Sequence, residues 1–89
     1  MTNTDKLSSI KAFVQAVQAG GFSQAAEQLG QSRSTVGKAI ARLEARLKVK
    51  LFLRTTRSLS LTSEGEHFYQ DCLRILTSLD EAENRLAQH

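Results

Sequence analysis

Eight basic residues crowd into one stretch of this chain: Arg33, Lys38, Arg42, Arg46, Lys48, Lys50, Arg54 and Arg57. Glu44 is the one acidic residue among them, leaving a local charge of +7. Ammonium and guanidinium groups gathered this way hold polyanions, because each phosphate they neutralise releases a condensed counterion. The flanks do not share the excess. Residues 1–32 are neutral, with Lys6 and Lys11 against Asp5 and Glu27, and residues 62–89 carry −4, with Arg74 and Arg85 against six carboxylates. A solvated basic face gives the same count, so the placement of these charges on secondary structure has to separate the two.

Other chemistries lack their parts. Cys72 is the single cysteine and cannot close an internal disulfide, and His67 and His89 are too few to assemble a zinc site. Glu64 and Asp71 lie scattered about His67 along one stretch and add no ligand set, so no metal is expected. There is no glycine-rich phosphate loop and no activated nucleophile, and 89 residues are too short to close around a small molecule. Neither an enzyme nor a cofactor-holding protein is expected.

Thirty-six of the 89 residues are hydrophobic, enough for one small domain and not for two independent cores. Ten Ala and twelve Leu, no Pro and five Gly indicate a mainly helical fold. No apolar run approaches the roughly 18 to 20 residues of a membrane span. The amino terminus Met1-Thr2-Asn3-Thr4-Asp5 is no export signal, so a cytoplasmic location without membrane contact is expected.

The elements that position the basic block follow from spacing. Leu7, Ile10, Phe13, Val14 and Val17 predict a helix over about 6–19, capped by Asp5 or Ser8 and ended by Gly20-Gly21. Ser23 is a cap for a short helix over about 23–29, with Ala25, Ala26 and Leu29 on one face. Ser32 caps a third helix over about 33–47, whose buried stripe is Val36, Ile40, Leu43 and Leu47. Two short helices across a tight glycine turn, the second one basic, form a helix-turn-helix pattern. Opposite the apolar stripe stand Ser34, Gly37, Lys38, Ala41, Arg42 and Ala45. Small residues there let the backbone sink into a groove while Lys38 and Arg42 reach past them to phosphates or base edges.

Leu51-Phe52-Leu53 and Leu59-Ser60-Leu61 flank a polar basic tip and predict a two-stranded wing. Arg54 in it has two uses, pairing with Glu44 or binding phosphate. Thr62 or Ser63 caps a last helix with Glu64 and Glu66 in its first turn, and no breaker follows, so it runs about 26 residues and roughly 39 Å. Phe68, Cys72, Ile75, Leu79, Ala82 and Leu86 alternate at spacings of four and three, a heptad seam that pairs with a second copy. Tyr69, Leu73 and Leu76 widen its first half enough to cover the helix-turn-helix as well. Cys72 as a redox switch has Arg74 alone within a turn, on another face, and is expected instead to be a buried seam thiol. The competing function class is a zipper module with a merely solubilising basic segment, which would not shift a duplex at low salt.

The stretches AFVQAVQAGGFSQAAEQL (12–29), SRSTVGKAIARLEARL (32–47), LFLRTTRSLSLT (51–62) and TSEGEHFY (62–69) resemble the amino-terminal DNA-binding domain of the LysR-type transcriptional regulators, over residues 7 to about 80. The resemblance implies a mainly α fold: a winged helix-turn-helix of three helices and a two-stranded wing over 1–61, then a long linker and dimerisation helix over 62–89. It implies a homodimer on inverted-repeat double-stranded DNA, and a small-molecule effector bound by a domain this sequence does not contain. Base contacts are expected from Arg33, Ser34, Gly37 and Lys38, and backbone or minor-groove contacts from Ser23, Thr35, Arg42 and Arg57, with Ser32 and Arg54 in the same interface. Two positions depart from the family pattern. Gly37 stands where Ser is common, and Lys48 replaces the Gly that usually follows the third helix, which forces a left-handed conformation or a different turn.

Overall fold

The computed structural model of the chain describes residues 3–54 and 59–88. Its elements are α1 (Asn3–Ala19), α2 (Phe22–Leu29), α3 (Arg33–Leu47), β1 (Phe52–Arg54), β2 (Leu59–Leu61) and α4 (Ser63–Ala87). Nothing between Asn3 and Lys6 breaks a helix, so α1 runs back past Asp5 and Ser8 and neither is its cap. It ends at Gly20, in the left-handed region at φ 80°, whose N–H donates to the Ala16 carbonyl at 3.0 Å.

The second helix starts one residue earlier than expected, at Phe22, with Gly21 as its cap and no capping side chain. Burial of the Phe22 ring draws that residue into the first turn and leaves Ser23 exposed inside the helix. At the other end Gly30 is left-handed, and the Gln31 N–H closes on Ala26 O at 2.9 Å, satisfying a carbonyl the helix leaves free. In α3 the Ser32 hydroxyl accepts from the Thr35 N–H at 3.1 Å, as the sequence predicts. Val36, Ile40 and Leu43 are fully buried, but Leu47 is 39% exposed: the stripe runs off the core in its last turn.

The core is built around Phe13, whose ring meets Phe52 and Phe68 at centroid distances of 5.4 Å and Tyr69 at 6.3 Å. One side chain of α1 thereby ties β1 and α4 to the three-helix unit, each ring pair adding about 0.5 to 1.5 kcal/mol beyond its buried area. Cys72 is fully buried, and Phe68, Tyr69, Leu73 and Leu76 pack against the same cluster. The first half of α4 thus packs on the same core as α1, α2, α3 and β1.

The strands β1 and β2 pair antiparallel, Phe52 with Leu61, Leu53 with Ser60 and Arg54 with Leu59. Thr62 joins this hairpin to α4. Its N–H donates to Leu51 O at 3.0 Å, and its hydroxyl donates to Lys50 O at 2.7 Å while accepting from the Gly65 N–H at 2.9 Å. This cap seats the first turn of α4 so closely that a Cβ on Gly65 would overlap the Leu51 carbonyl oxygen. Glu64 and Glu66 complement the exposed amides of that turn. No helix among the described residues is long and apolar enough to cross a membrane.

Candidate nucleic-acid interface

Burying Val36, Ile40 and Leu43 turns the opposite side of α3 to solvent, where Ser34, Lys38, Ala41, Arg42 and Ala45 are all exposed. Gly37 is half-buried, and a Cβ there would meet only the Phe22 ring, at an ordinary 4.0 Å. The amino-terminal turn gathers Ser32, Arg33, Ser34 and Thr35 at one place, all exposed, with the Ser32 and Thr35 hydroxyls 2.9 Å apart. Free amides and the positive end of the helix macrodipole add to the attraction for anions there. Among the described residues no ion pair engages Arg33, Lys38 or Arg42, so their charges face outward unspent. The exposed Ser23 comes from the first turn of α2. Arg57 lies outside the described residues.

Arg54 does not pair with Glu44. Two backbone amides take that carboxylate first, Leu51 N–H donating to Glu44 Oε2 at 2.8 Å and Phe52 N–H at 3.3 Å, and Lys50 Nζ stands 3.9 Å from Oε1. Strand-start amides buried without an acceptor cost more than a side-chain ion pair at the surface returns, so the carboxylate goes to them. Arg54 instead lays its guanidinium 4.8 Å from the centre of the Phe22 ring, a cation–π contact linking the wing to α2. Sequence reasoning missed the grip of Glu44 on the hairpin. The signal was present, because Glu44 stands four residues after the buried Ile40, on the apolar side of an otherwise basic helix.

The residues expected on the heptad seam divide in two. Phe68 packs into the core of its own domain and Cys72 is wholly inside it, so the thiol is a core group and not an exposed seam position. Burial first, and the neighbouring Asp71 carboxylate second, push the Cys72 thiol up to about 11, well clear of the thiolate range that redox chemistry needs. Beyond it Ile75 is 43% exposed, Leu79 is half-buried, Ala82 is exposed and Leu86 is 78% exposed. Among the described residues no group of His, Cys, Asp and Glu is placed to hold a metal.

Residues 7–66 match the family described as bacterial regulatory helix-turn-helix proteins of the lysR family. The HTH-type transcriptional regulator CrgA of Neisseria meningitidis (serogroup C, strain 8013) is 45% identical over 85 residues, 96% of this chain and 27% of CrgA. The chain thus spans about a quarter of the length of that relative. Among solved structures, the BenM DNA-binding domain complexed with catB site 1 DNA superposes with a TM-score of 0.88 at 28% identity, covering 92% of each chain. The CbnR DNA-binding domain in complex with DNA gives 0.85 at 30% identity, over 92% of this chain and 94% of that one. CrgA is described as a transcriptional regulator, and the winged helix-turn-helix with its long last helix is shared with the two DNA-binding domains. By sequence match and by fold, this chain belongs to the lysR family of bacterial regulatory helix-turn-helix proteins.

Proposed function

We propose that this chain reads double-stranded DNA sequence-specifically, as the amino-terminal part of a bacterial transcription regulator working in the cytoplasm. The observation that carries the reading is the solvent face of α3, where Lys38 and Arg42, in no ion pair among the described residues, stand among Ser34, Gly37, Ala41 and Ala45 while the opposite side is locked into the core. Such a face enters a major groove with its amino-terminal turn first, so Arg33, Ser34, Gly37 and Lys38 meet base edges. Ser23, Ser32, Thr35 and Arg42 then meet phosphates at the groove margins, and Arg54 and Arg57 of the wing meet backbone or minor groove. The distal half of α4 pairs two copies, whose heads bind an inverted repeat. A small-molecule effector acts through a further domain of the intact regulator.

Lys38 and Arg42 separate base reading from backbone binding. Lys38 lies near the centre of the outward face and Arg42 nearer its edge, so Lys38→Ala is expected to cost about 1 to 3 kcal/mol on a matched site and to relax selectivity at one position. Arg42→Ala is expected to weaken matched and scrambled duplexes alike. Titrating both variants against both duplexes decides it, and equal losses on the two duplexes for Lys38→Ala would remove the base-reading role.

A further inference from the structure

We infer that Lys48 binds the sugar–phosphate strand that runs between the two DNA grooves this domain engages, a role that rests on the DNA-binding reading above. In B-form DNA a single phosphodiester strand separates the major groove from the adjacent minor groove. A protein with a helix in one and a wing in the other must straddle that strand. The strand therefore has to pass between α3 and β1.

An open cleft of about 710 Å³ lies there, with Ala41, Ala45 and Phe52 on its surface and Lys48 and Arg54 among its walls. Ser34, Lys38, Ala41, Ala45 and Lys48 follow one another at spacings of four, three, four and three, within about 40° of one line along the helix. The cleft is thus the continuation of the proposed reading face, with alanines where a backbone must come close. Glu44 also borders it, but that carboxylate is buried, bonded to the Leu51 and Phe52 amides and accompanied by Lys50. Lys50 offsets Glu44, and the charges left to meet a phosphate are Lys48 and Arg54.

The backbone supplies an independent observation. Lys48 closes α3 in the left-handed conformation, at φ 60° and ψ 39°, with its N–H on Glu44 O, and it is the one non-glycine residue at positive φ among the described residues. Glycine would make the same cap without the strain. A strained backbone kept at the rim of a proposed binding face, under an exposed ammonium, points to use of the side chain. A merely structural use, a cation complementing the carboxyl end of the helix, has the opposite consequence for DNA: none.

The test uses a duplex selected from a random library by the wild-type protein, titrated across a salt series. Lys48→Gly and Lys48→Asn both tolerate the left-handed cap and remove the charge. Each is expected to melt no lower than wild type by more than a few °C, to bind about five- to tenfold more weakly near 0.1 M salt, and to lower the salt slope by about one unit. Lys48→Arg is expected to keep the wild-type slope. Glycine and asparagine variants with the wild-type slope and affinity overturn the inference while leaving the DNA reading intact. A wild-type protein that selects and binds no duplex overturns both.

Discussion

Replacing Gly65 by alanine is expected to destabilise the domain by about 2 kcal/mol, although the residue lies inside a helix where alanine is ordinarily preferred by about 1 kcal/mol. The added Cβ would overlap the Leu51 carbonyl oxygen and stand 3.0 Å from Leu61 Cδ2. A flexible side chain could turn aside, but this oxygen belongs to backbone held by the Thr62 N–H at 3.0 Å. Relief requires α4 to lift from the hairpin, loosening the Thr62 cap and the packing of Phe68 on Phe13 behind it. For a domain of this size the loss lowers the melting temperature by roughly 10 °C. Gly37→Ala is the matched control, since its Cβ has room beside Phe22, and it is expected to stabilise by up to about 1 kcal/mol. Thermal melts of the two variants at one protein concentration should move in opposite directions. A Gly65→Ala protein that melts at or above wild type would mean that α4 does not seat against the start of β1.

Replacing Leu79 and Leu86 together by aspartate is expected to turn a dimer into a folded monomer, with affinity for an inverted repeat falling about 10²- to 10⁴-fold toward that for a half-site. Ile75, Leu79, Ala82 and Leu86 continue the spacing of the buried Cys72 beyond the part of α4 that the core covers, and Leu86 is 78% exposed. A thin apolar stripe whose far end the described residues leave open, with Leu79 half-buried and Leu86 exposed, is buried most simply by a second copy. Unpaired carboxylates in such an interface cost several kcal/mol, while the core around Phe13 is untouched. Sedimentation of wild type and variant, with titrations of full and half sites, separates the effects. A wild-type chain monomeric at hundreds of micromolar, or a double variant that still dimerises, contradicts the pairing.

Much of this was legible in the residues, because the signals were local. The bounds of α3, its Ser32 cap and the Thr62 cap with Glu64 and Glu66 behind it each depend on neighbours within a turn, and the hairpin pairs residues no more than nine apart in the chain. What was not legible depends on partners distant in the chain. Phe22 starts α2 one residue ahead of Ser23 because its ring packs on Phe52, thirty residues away. The heptad spacing of α4 is uniform from Phe68 to Leu86, so spacing alone could not say that Phe13 and its neighbours already occupy the first half and leave Cys72 no exposed surface. The sequence leaves Arg54 a choice between Glu44 and phosphate, because nothing local shows that two main-chain amides of the next element hold the stronger claim on that carboxylate.

Affinity of the unmodified protein for a duplex it has selected, compared with a scrambled duplex of the same composition and followed against salt, is the most direct test of sequence-specific reading by α3. Base-edge contacts predict a preference of about 10³ or more at physiological salt, with binding to both duplexes falling steeply as salt rises. Equal affinity for the two duplexes, or no binding to either at low salt, would contradict it.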